Sequence, residues 1–348
     1  MNRATSSRAF TLIELLVVIL ILAVVIAIIV PALGGARNAA KGVSSRSLLT
    51  QVANAASAFV NDNDRLPGYF SAEEMGDAEN DKRGFTEMEN ILLDLAGGVI
   101  PGGGTGIGGV GGSDGIKVGP TSAAAVWVDP ALIGADTEFS KAYFTPDAKS
   151  YRTGTGQMGE SEHTDELPDL VDAWGTPALA WRRNTFGPTR ITGEADFAQI
   201  DSGDPAWFYW NSNAGFLNSA TVGKLTRSQT TGSIIGADAS NPARIKSLVG
   251  FLGSPAYPDD LTGTPGNLLP TAARGDLVFH SAGADGFYLG RTGKGAKQFS
   301  GDPGSPSFAI EYARNFFSAS GKRLTGDGGE GETEDILQAF DDLIQTGN

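Results

Sequence analysis

Glu14 is a carboxylate inside the run Phe10 to Val30, in which every other residue except Thr11 is apolar. A charged side chain costs about 2.5–3.5 kcal/mol at the centre of a membrane helix and less near its end, so it calls for a partner. The chemistry open to Glu14 is charge pairing. If the chain were cut before Phe10, the new terminal ammonium would stand one helical turn from Glu14, or face the Glu14 of a neighbouring copy.

Other residue types that do chemistry are sparse. There is no cysteine, which excludes disulfides, thiolate metal centres and a cysteine nucleophile. The two histidines, His163 and His280, are too few for a histidine-rich metal centre. His280 precedes Ser281, but a nucleophile elbow needs glycine two residues before its serine, and Phe279 stands there. No acid is identifiable as a partner, so a half-buried, hydrogen-bonded histidine is expected. The adjacent acids Asp259-Asp260 and Asp341-Asp342 point their side chains apart and read as solvated surface. Counted from Asp62, an EF-hand loop would place Leu66 at a ligand position and Pro67 where glycine is required, so a turn is the better reading. Residues 97–115 hold eleven glycines, and the G-x-G-x-x-G match at Gly104, Gly106 and Gly109 lacks a strand before it, a helix after it and a later acid. A surface loop is expected there. The chain reads as a non-enzyme with no catalytic or cofactor-binding residues.

Positioning Glu14 falls to a helix. Twenty-one residues from Phe10 to Val30 are about the length that crosses a bilayer. The pattern continues past Pro31 to about Asn61, with Leu48, Val52, Ala55 and Phe59 forming an amphipathic stripe. Pro31 is expected to bend or locally melt this helix, and Gly34, Gly35 and Gly42 weaken its middle. Residues 1–62 carry five basic against two acidic side chains, a balance of +3, which leaves −17 for residues 63–348 within a total of −14. Such an acidic body argues against a nucleic-acid surface. The body reads as short strands between Gly, Pro and Asp turns: "PALAWRR" from Pro177, "PAWFYWNSN" from Pro205, and "GDLVFHSAGADGFYLG" from Gly275 as strand, turn and strand. The tail "GETEDILQAFDDLIQ" places Ile336, Leu337, Phe340, Leu343 and Ile344 on one face of an expected helix.

The string from Ala9 to Val18, "AFTLIELLVV", resembles the prepilin signature of type IV pilins and type II secretion pseudopilins. The resemblance implies cleavage between Ala9 and Phe10 by prepilin peptidase, N-methylation of Phe10, and an assembly role for Glu14, the fifth mature residue. Ala9 departs from the usual glycine before the cut. "DAWGTPALAW", Asp172 to Trp181, and "DLVFHSAGADG", Asp276 to Gly286, resemble two segments of the major pseudopilin of type II secretion. In that protein the second segment opens a calcium site, and Asp285 matches its first carboxylate. The next acid in sequence, Asp302, follows only after a basic stretch.

These readings predict an α+β, type IV pilin-like fold: a long N-terminal helix packed on an antiparallel sheet with large loop insertions. They divide the chain into a leader (1–9), a transmembrane segment (10–30), an amphipathic helical part (31–62), a β-rich body (63–325) and an acidic tail with a short helix (326–348). The charges flanking the span do not orient it. The resemblance places the leader in the cytoplasm and the body in the periplasm, and implies as partners prepilin peptidase, further copies, other pseudopilins and an inner-membrane assembly platform. A surface type IV pilin and a membrane-anchored binding or enzymatic domain are the alternatives.

Overall fold

The computed structural model describes residues 11–100, 115–137, 141–159, 167–219, 232–259, 265–298, 301–316 and 335–347. Ala9, Phe10, His163, most of the glycine-rich segment and the start of the tail lie outside them. The chain forms two units, Met1–Val43 and Ser44–Asn348.

Helix α1, Leu12–Asn63, begins in the first unit and ends in the second. In the first unit it is apolar all round from Leu15 to Val30, and its large side chains are exposed. It is long and apolar enough to cross a membrane, where a helix satisfies every backbone polar group internally. It is continuous across Pro31, with no melted turn. One proline removes one backbone donor, and a helix absorbs that loss without ending.

In the second unit α1 becomes one-sided. Leu48, Leu49, Val52, Ala55, Ala56 and Phe59 are buried, the stripe expected from a 3.6-residue period. They pack on Met88, Ile91, Leu92 and Leu95 of α4, Glu87–Leu95, and on one face of a three-stranded antiparallel sheet. Two short helices, α2 (Ala72–Met75) and α3 (Asn80–Arg83), lie between α1 and α4 in sequence.

The remaining strands are short. β1 (Ile116–Val118) pairs antiparallel with β2 (Val126–Val128), and β3 (Tyr151–Arg152) with β4 (Asp169–Leu170). The main sheet starts with β5, Leu179–Arg182. β6 (Ala198–Gln199) and β7 (Phe208–Tyr209) form a parallel pair. β8 (Leu277–Ser281) is central in the main sheet, flanked by β5 and β9 (Leu343–Gly347). Side chains alternate across it as the pleat requires. Ala178, Ala180, Leu277, Phe279 and Leu343 face α1, whereas Leu179, Trp181 and Val278 enter a larger core with Trp210, Phe251, Ile336 and Phe340.

The structure corrects three expectations. The tail is a 3₁₀ turn, Ile336–Ala339, followed by strand β9, and not an amphipathic helix. Ile336, Leu337 and Phe340 fill the core from the turn, while β8 offers Leu343 and Ile344 a sheet edge to complete. The strand expected after Gly286 is a turn instead: Leu289 adopts φ 49°, a left-handed conformation that breaks a strand. Trp210–Asn213, the end of the strand expected from Pro205, is a 3₁₀ turn instead, and a helical turn, Ala214–Leu217, follows it.

Candidate functional site

At the start of α1, Thr11 and Glu14 hold one another. Glu14 Oε2 accepts from the Thr11 backbone N–H at 2.8 Å and from its hydroxyl at 2.7 Å, and Thr11 Oγ1 accepts from Glu14 N–H at 3.3 Å. This is a capping box, with the threonine and the glutamate satisfying each other's orphan donors. The pattern Thr-x-x-Glu was present in the sequence and gives Glu14 a structural duty beside any pairing with an ammonium. Only Oε2 is engaged, so Oε1 has no hydrogen-bond partner among the described residues. The expected cleavage pair, Ala9 and Phe10, lies outside those residues.

The two internal segments singled out in the sequence meet across the main sheet. Asp172 sits in the turn before β5, where Oδ1 accepts from the backbone N–H groups of Trp174 and Thr176, each at 2.9 Å. Its other oxygen accepts from Ser281 Oγ, at the end of β8, at 2.6 Å. Asp172 and Ser281 are both buried. Burial pushes the Asp172 carboxyl above the usual carboxylate range, and these donors partly offset it. The turn is further tied to α1 by Ser45, whose hydroxyl accepts from Ala173 N–H at 3.0 Å.

His280, on the opposite face of β8, is fully buried, and its acid is Asp342. Nε2 lies 2.5 Å from Asp342 Oδ2, with both side chains wholly inaccessible. Asp342 therefore does not belong to the solvated surface expected of the pair Asp341-Asp342, nor is His280 half-buried. Asp342 immediately precedes β9, whose pairing with β8 draws the acid into the interior, a placement invisible when the tail is read as a helix. Phe251 packs on the imidazole in a tilted contact at 4.7 Å between ring centroids and Tyr288 meets it edge-on at 5.3 Å. Leu289 N–H also donates to Asp342 at 2.9 Å, which fixes the left-handed turn. Burial raises the Asp342 pKa and His280 opposes that shift.

Asp285, the expected first calcium ligand, lies beside Asp341 and not beside Asp302. Its backbone N–H donates to Asp341 Oδ2 at 2.9 Å, and its own Oδ1 accepts from Phe287 N–H at 2.8 Å. Its carboxyl is pushed up to about 7, by burial first and further by Asp341 and Asp342. Calcium takes six to eight oxygens. Among the described residues no three His, Asp or Glu side chains converge on a common metal position.

Residues 5–30 match the prokaryotic N-terminal methylation motif. The match covers the second half of the expected leader and the apolar part of α1. With the one long apolar helix found among the described residues and the small antiparallel sheets, it supports a type IV pilin-like protein that is processed at its N-terminus and anchored by one span. No curated protein and no solved structure matches the chain.

Proposed function

We propose that the chain is a pseudopilin: a subunit cleaved between Ala9 and Phe10, methylated on Phe10, and drawn from the inner membrane into a periplasmic filament of a type II protein secretion system. It performs no chemistry of its own. Glu14 pairs with the terminal ammonium of Phe10 as each subunit joins, and the apolar face of α1 supplies cohesion. The methylation motif over residues 5–30 carries the filament-subunit part of this reading. The assignment to secretion, as against a surface fibre, is supported by the contact between Asp172 and Ser281. It joins the two internal segments that resemble the major pseudopilin into one buried junction.

Two measurements test the proposal. Mass spectrometry of the protein isolated from membranes should find an N-methylated Phe10 terminus; a chain that keeps Met1 overturns it. Deleting the gene should abolish protein secretion and leave surface fibres intact, and the opposite pair of phenotypes assigns the chain to a surface pilus instead.

A further inference from the structure

We propose that a cleft between the end of α1 and β5 receives the basic stretch Arg37, Lys41 and Arg46 of a second copy as subunits assemble; this rests on the reading of the chain as a filament subunit. The cleft measures about 750 Å³ and is lined by residues following α1, by α2 and by the end of β5 with the turn after it. Three arginines line it, yet each is already neutralised within the body. Arg65 is bidentate on Asp94, at 2.6 and 3.0 Å. Arg182 pairs with buried Glu87 at 2.6 Å, and Arg183 with Asp276 at 2.6 Å.

Two lining carboxylates, Asp64 and Glu73, are exposed and have no cation or side-chain hydrogen bond among the described residues. The cleft therefore holds spare negative charge. It also presents two open aromatic faces: Tyr69 is 46% exposed and Phe186 is 87% exposed. Carboxylates beside accessible rings suit a guanidinium or an ammonium, which gains ion pairing and the attraction of the ring quadrupole together. Phosphates and acidic peptides are repelled by the same groups.

The complementary charge is on the chain itself. Arg37, Lys41 and Arg46 are exposed, with no ion pair among the described residues. Arg46 is the nearest of the three in sequence, and from it to Asn63 the helix rises about 26 Å at about 1.5 Å per residue. No side chain spans that distance, so Arg46 of one copy does not enter its own cleft. A second copy, displaced along the helix direction, brings the three cations there.

The absence of cysteine makes a clean test. Cells should co-express a Glu73→Cys copy and a Lys41→Cys copy, and filaments should be treated with a short thiol cross-linker. A dimer that needs both cysteines is expected, at several times the yield given by Thr189→Cys, an exposed position outside the cleft. In parallel, Glu73→Lys should lower the assembled fraction about five- to tenfold. The triple reversal Arg37→Glu, Lys41→Glu, Arg46→Glu should do the same, and combining it with Glu73→Lys should restore assembly.

A cross-link no stronger than the control, or one made to another protein, overturns the proposal, as does wild-type assembly of both reversed chains. If filaments form in wild type and vanish in Glu14→Ala while the cleft variants behave as wild type, the subunit reading stands and the cleft assignment fails. If wild-type chains form no filament, both fail.

Discussion

Ser281 donates its hydroxyl to Asp172 across 2.6 Å, joining the end of the central strand to the turn that leads into its neighbour. The carboxylate also holds two backbone N–H groups of that turn. Asp172→Ala strands three donors in a buried place and should cost about 2–4 kcal/mol, since an unmet buried donor costs about 1–3. Ser281→Ala leaves Trp174 N–H and Thr176 N–H on Asp172, takes the acceptor from Gly283 N–H at 3.3 Å, and should cost about 1–2 kcal/mol. Urea unfolding of the detergent-solubilised chain with both singles and the double should return a coupling energy of at least about 0.5 kcal/mol. Strict additivity would remove the junction as a unit.

Glu89 caps α4 from inside the core, with Oε2 accepting from the Thr86 N–H and hydroxyl at 2.7 Å each and from Gln157 at 2.8 Å. Burial pushes its pKa from 4.5 up to about 7 despite those donors. The folded chain thus retains a proton that the unfolded chain releases near pH 4.5. Glu89's contribution to stability is full below that pH and is lost as pH rises through about 7. Glu89→Gln keeps the acceptor and removes the titration. The stability of wild type relative to this variant should fall between pH 4.5 and pH 8, as read by urea midpoints; a rising or flat difference contradicts the assignment.

His280 and Asp342 form a buried pair that the tail strand completes. Asp342→Ala leaves an imidazole and the Leu289 N–H without their acceptor, and removing one member of a buried pair costs about 3–5 kcal/mol. Replacing both, His280→Phe with Asp342→Leu, should recover a large part of that loss, because an apolar pair of similar volume leaves no charge behind. Thermal melts of wild type, single and double variants decide it. A double variant as unstable as the single would mean that the pair is not acting as a unit.

How far the sequence foretells this structure depends on how local each interaction is. The apolar run and the stripe Leu48, Val52, Ala55 and Phe59 carry their period within one helix, and all four positions are buried. β8 likewise follows from its own β-branched and aromatic residues. The tail does not, because Ile336, Leu337, Phe340, Leu343 and Ile344 fit one face of a helix as well as they fit a turn and a strand. The choice is made by β8, whose edge pairs Ser281 with Leu343 and His280 with Ile344. Asp172 and Ser281 are 109 residues apart, and His280 and Asp342 are 62 apart; no local pattern announces either contact. The box formed by Thr11 and Glu14 is the reverse case, since its Thr-x-x-Glu spacing is local, although the reading of Glu14 as a charge-pairing group passed over it.

That box separates two roles of Glu14 that a single substitution confounds. Thr11→Ala removes the cap and should cost the helix start about 0.5–2 kcal/mol while leaving the carboxylate free to meet an ammonium. Glu14→Gln keeps an oxygen for the Thr11 N–H and hydroxyl but carries no charge. If charge pairing drives subunit addition, Thr11→Ala chains should still enter filaments, whereas Glu14→Gln chains should be processed, remain in the membrane and fail to assemble. Processing is read from the mass of the mature terminus and assembly from the sheared, sedimentable fraction. Assembly of Glu14→Gln at wild-type levels would reduce the carboxylate to a helix cap, and failure of Thr11→Ala beside Glu14→Gln would make the cap a requirement for assembly in addition to the charge.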